Sequence, residues 1–70
     1  MSAQVTGPRF PKVVVDLDGS QWEILNRVVL AMKDARVHPG HRDLFIAEVM
    51  QEHADRDAFI ETCRRWVSEA

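Results

Sequence analysis

Residues 12–18, Lys-Val-Val-Val-Asp-Leu-Asp, are the one segment of this 70-residue chain that alternates as a β-strand does. Val13, Val15 and Leu17 fall on one face; Lys12, Val14, Asp16 and Asp18 fall on the other, because extended side chains alternate with a period of two. A strand cannot stand alone, since its N–H and C=O groups need partners and even an isolated hairpin is marginal in water. Everything after it reads as helix. The expected partner is therefore either the N-terminal arm around Ala3–Thr6, folded back, or the same strand of a second chain. Val13, Val14, Val15 and Leu17 are accordingly the candidate dimer strand.

Gly19 ends the strand, and Ser20-Gln21-Trp22-Glu23 is a capping box. The Ser20 hydroxyl accepts from the Glu23 amide, and the Glu23 carboxylate accepts from the Ser20 N–H. A helix over about residues 20–36 follows, with Trp22, Leu25, Val28, Val29, Met32 and Ala35 at helical spacing and Ile24 and Ala31 widening the stripe. Pro39 and Gly40 in Val37–His41 mark a connection. A second helix is expected over about residues 42–53, with Phe45, Ile46, Val49 and Met50 on one face. Asp55 or Asp57 then caps a third, over about residues 56–68, whose stripe is Phe59, Ile60, Cys63, Trp66 and Val67. The expected fold is α+β and mostly α: one N-terminal strand followed by three short amphipathic helices. Residues 1–11, with Gly7, Pro8 and Pro11, read as a flexible or extended arm, and residues 12–70 as a single small α+β domain.

Composition narrows the function. Nine basic and eleven acidic side chains give a net charge of −2 with both signs interleaved, so there is no electrostatic footprint for nucleic acid. The single cysteine, Cys63, excludes an internal disulfide and a paired-cysteine metal or redox site. No apolar run approaches the roughly 18 residues that span a membrane. With one thiol and no leader segment, a cytoplasmic setting is expected.

The stretch Val13–Ser20 resembles the nucleophile motif of haloacid-dehalogenase-type phosphatases, a strand ending in Asp-x-Asp-Gly before a hydroxyl residue. That chemistry also needs a hydroxyl on a second strand, a lysine and further carboxylates for magnesium, on separate strands of a doubly wound sheet. After the motif this chain has a single lysine, Lys33, within the first helix, and no second parallel strand is legible. The capping box accounts for Ser20 without a phosphate, so no catalytic residue is assigned and the chain reads as a non-enzyme. His38, His41, Asp43 and His53 lack the tight cysteine-rich spacing of structural zinc sites and read as loop and cap residues. Cys63 sits on an apolar stripe and reads as core. No metal or cofactor is expected.

Trp22 and Trp66 lie in the first turn of the first helix and the last turn of the third, where aromatic rings close a core or anchor a partner. Together with Arg9 and Phe10 of the arm they are the candidate partner-binding residues.

The succession "VVVDLDG", "ILNRVVLAMKDARV", "FIAEVM" and "FIETCRRWV" resembles a set of small uncharacterised proteins of bacteriophages and prophages, notably those of actinobacteria. The match covers about residues 13–67, with Ser20-Gln21-Trp22 in place of their Asp-Gly-Asn turn. The resemblance implies a small phage-type accessory protein. The reading that follows is a non-enzymatic protein that binds another protein, a host factor in the phage setting, as a homodimer. The alternative is a ribbon-helix-helix-like DNA-binding regulator, in which the lone strand pairs across a dimer. Against it, the ribbon face would set Asp16 and Asp18 toward phosphates and base edges.

Overall fold

The computed structural model describes residues 7–70, in the order β1 (Phe10–Val15), α1 (Gln21–Asp34), α2 (Pro39–Gln51), α3 (Arg56–Trp66) and β2 (Val67–Glu69). The α+β, mostly helical class is as expected from the sequence. The fold-back of Ala3–Thr6 onto the strand lies outside the described residues.

The partner of β1 is β2, within the same chain and parallel to it. This corrects two expectations: that only the arm or a second chain remained to pair with the strand, and that residues 67 and 68 were helix. Val67 continues the helical stripe of α3, which hid the change, but as a β-branched residue it also suits the extended backbone it adopts at φ −134°, ψ 164°. A parallel pair requires a long crossover, and here all three helices provide it. Val14 is in register with Ser68 and Val15 with Glu69, and an irregularity lies between Phe10 and Val14. The Ala70 N–H donates to the Val15 carbonyl at 2.9 Å, and the Ser68 hydroxyl to the Pro11 carbonyl at 2.7 Å. The strand begins two residues earlier than the alternation suggested and ends three earlier, at Val15, so Phe10 and Pro11 belong to the sheet and not to an arm, while Asp16, Leu17 and Asp18 lie beyond it.

Local chemistry sets each helix boundary. Both bonds of the Ser20–Glu23 capping box are present, at 2.8 and 3.1 Å. Gly19 precedes it at φ +104°, and a Cβ there would lie 2.8 Å from Glu23 Oε1. At the other end of α1, Arg36 N–H donates to the Lys33 carbonyl and Val37 N–H to the Met32 carbonyl, the paired bonds of a Schellman motif. Arg36 takes the left-handed position at φ 62°, where glycine is usual. Pro39 opens α2 rather than excluding it. Its missing N–H falls where an N–H has no helical partner, and His38 Nδ1 accepts from the Gly40 N–H at 2.9 Å. Asp55 caps α3, accepting from the amides of Asp57 and Ala58.

A single core joins all five elements. Val13, Val15 and Leu17 enter it from the strand side, Ile24, Leu25, Val28 and Met32 from α1, Phe45 and Val49 from α2, and Phe59, Cys63, Trp66 and Val67 from the C-terminal end. Met50, expected on the inner face of α2, is exposed instead, as are Leu30 and Leu44.

Candidate functional site

The four candidate partner-binding residues separate into two environments. Trp66 is 1% exposed and belongs to the core. Its indole N–H donates to Glu48 Oε1 at 3.2 Å. Phe45 meets the ring edge-on at 5.7 Å and Phe10 stacks on it at 6.0 Å. The Arg9 guanidinium lies 4.3 Å from a Trp66 ring centroid, a cation–π contact. Arg9 and Phe10 thus dock on the body of the protein, Arg9 still exposed and Phe10 half-buried. Trp66 is withdrawn from the candidate surface, because the turn of α3 that carries it faces both strands and α2. Glu48, the acceptor that allows an indole to be buried there, carried no signal in the sequence.

Trp22 is the opposite case, at 55% exposed. One side of its ring rests on His53 at 4.6 Å between centroids, and His53 in turn meets the buried Phe59 edge-on at 5.6 Å. Gln21 Nε2 donates to the His53 carbonyl at 2.9 Å, fastening the first turn of α1 to the end of α2. The indole is therefore held against a supported platform with much of its surface open to solvent. Met50, on the last turn of α2 and also exposed, precedes His53 by three residues. His53 Nε2 is buried without a hydrogen-bond partner among the described residues.

Of the candidate dimer-strand residues, Val13, Val15 and Leu17 point into the chain's own core, and Val14 alone is exposed, at 58%. Beside the N-terminal half of β1 runs an open, mainly apolar groove of about 270 Å³, lined by Arg9 to Val13 together with Ala35 and Val37.

The polar constellations do not converge. Asp16 and Asp18 sit in an exposed turn whose carbonyls both accept from Arg27 Nη1, at 2.6 and 2.8 Å. Arg27 thus fixes the path from strand to helix. The carboxylates themselves face solvent. His38 caps α2 and lies 6.2 Å from the His41 ring, while His53 belongs to the Trp22 platform. Among the described residues no three His, Cys, Asp or Glu side chains come together as metal ligands do. Cys63 is buried, and burial pushes its thiol up to about 11, away from the thiolate that reacts.

No protein-family model, curated protein or solved structure matches the chain. No helix among the described residues is long and apolar enough to cross a membrane.

Proposed function

We propose that this chain is a small non-enzymatic accessory protein of the bacteriophage type. It binds another protein, a host factor in the host cytoplasm, and acts as a homodimer. The exposed Trp22 carries the reading. A tryptophan held on a rigid platform with half its surface in water is a feature enriched at the energetic centres of protein interfaces. Covering it adds apolar burial at little cost in entropy, because His53 and Gln21 already fix the turn that bears it. The scattered carboxylates and histidines and the unreactive setting of Cys63 support binding over catalysis. Nothing favours the DNA-binding alternative. Its ribbon would have to come from β1, whose exposed side carries Lys12 and Val14 and leads into the exposed Asp16 and Asp18, setting carboxylates toward phosphates and base edges.

Affinity capture from bacterial lysate with the whole chain and with Trp22→Ala, followed by reconstitution, tests this. A protein retained by the first and lost by the second, which then binds the purified chain with a shift in Trp22 emission, is the expected result. Equal capture by both forms, or capture by neither, overturns it.

A further inference from the structure

We infer that β1 pairs antiparallel with β1 of a second copy, in a register centred on Val14, to give a continuous sheet in the order β2-β1-β1-β2. This rests on the homodimer part of the proposed function and is independent of the Trp22 surface.

β1 uses one edge for β2. The Val15 carbonyl accepts from Ala70 and the Pro11 carbonyl from Ser68. Successive residues of an extended strand aim their peptide groups to opposite edges, and the in-out alternation of side chains runs unbroken from Lys12 to Leu17. Val13 and Val15 therefore serve β2, while Val14 between them presents its N–H and C=O groups to the other edge; toward Phe10, which is itself in register with Val67, the irregularity breaks this alternation. Among the described residues no strand pairs with that edge. Open edges of this kind invite pairing unless something blocks them.

The side chains select the partner. In a two-fold antiparallel pairing about Val14, Val14 faces its own copy, and Lys12 of each chain faces Asp16 of the other. All three are exposed, Lys12 and Val14 within the strand and Asp16 one residue past its end, where its carbonyl also accepts from Arg27. Directly opposed residues in such a ladder sit about 5.5 Å apart at Cα, within reach of a cross-strand ion pair. The lone exposed valine of the strand gains an apolar neighbour between two Lys–Asp pairs. On the inner face Val13 opposes Val15, which continues the core across the axis. A four-stranded sheet backed by helices also removes the weakness of an isolated two-stranded one.

Sedimentation or native mass measurement of the whole chain reads the state directly. The expected mass is twice the 8.0 kDa of the chain. Lys12→Asp and Asp16→Lys each set like charges against each other twice and weaken the dimer by about tenfold or more, whereas the double exchange restores it. Neither side chain has a hydrogen-bond or ion-pair partner among the described residues, and circular dichroism verifies that each variant is folded. Val14→Lys, which sets two charges on the axis, is a second disrupting variant.

A monomer at about 100 µM overturns the pairing. So does a monomer that dimerises only once residues 1–6 are deleted, which would give the edge to the chain's own N-terminus. A dimer indifferent to the charge exchanges places the interface elsewhere and also overturns it. Capture through Trp22 by a monomeric chain sinks the pairing and leaves the Trp22 surface standing.

Discussion

The two tryptophans occupy corresponding positions, one on the first turn of α1 and one on the last turn of α3, yet their surroundings are opposite. Around Trp66 the contacts come from distant parts of the sequence: Arg9 and Phe10 from the N-terminal strand region, Phe45 and Glu48 from α2. Around Trp22 most of the order is local, from Gly19, Ser20 and Glu23, with Gln21 and His53 supplying the one tie to α2. Burying a tryptophan removes roughly 150–250 Å² from water, about 4–6 kcal/mol at 25 cal/mol/Å². The Trp66 end takes nearly all of that for folding. The Trp22 end leaves a large part of it for a partner.

The largest effect expected of this contrast is at Trp66. Trp66→Ala removes the ring on which Phe10, Phe45 and Arg9 converge, at a cost of about 3–5 kcal/mol. In a domain of this size that lowers Tm by roughly 12–40 °C, which calorimetry or circular dichroism reads. A fall of a few degrees would mean that the sheet and α2 hold together without the indole. Gly19→Ala follows, at about 1–3 kcal/mol, because alanine at φ +104° is strained and its methyl group collides with the Glu23 carboxylate. Urea unfolding with an unchanged m-value is the measurement.

The same contrast decides what was legible in the sequence. Local features read through: the Ser20–Glu23 box, the Asp55 cap, the division of Val13, Val15 and Leu17 from Lys12 and Val14 onto opposite faces, and the core role of Cys63. Features set by tertiary contact did not. Val67 satisfies both a helical stripe and a strand, and only its pairing with β1 decides between them. Pro39 has two common places, after one helix or at the start of the next, and the intervening His38 cap selects the second. Trp22 and Trp66 are indistinguishable by spacing alone. What separates them is which turn faces the strands, and that depends on how three helices pack.

At the Trp22 end, Ser20→Ala should cost about 1 kcal/mol, as loss of an N-cap does. Its partner Glu23 adds a pH dependence. The Ser20 N–H donates to that carboxylate, which holds it below its ordinary value of 4.5, and the Ser20 hydroxyl and Arg27 act in the same direction against a small effect of burial. A carboxyl group lowered in the folded state contributes stability that is complete above its ordinary value and is lost as pH falls through the lowered one. Stability should therefore decline on acidification over that window, and Glu23→Gln should flatten the decline. A variant with the same acid profile as the parent would show that the box adds nothing.

Trp22→Ala gives the smallest change in stability and the sharpest test of the difference between the two rings. The substitution loses one ring contact with His53 but gains alanine's better helix propensity, leaving a net cost of about 0.5 kcal/mol. The chain has only two tryptophans, so this variant reports Trp66 alone. Its emission should lie to the blue of the parent's, and iodide should quench it weakly, since the remaining indole is 1% exposed. The parent should show two populations, one quenched readily. If both forms quench alike, Trp22 is covered in solution, and the surface around it is already occupied by another part of the protein or by a second copy.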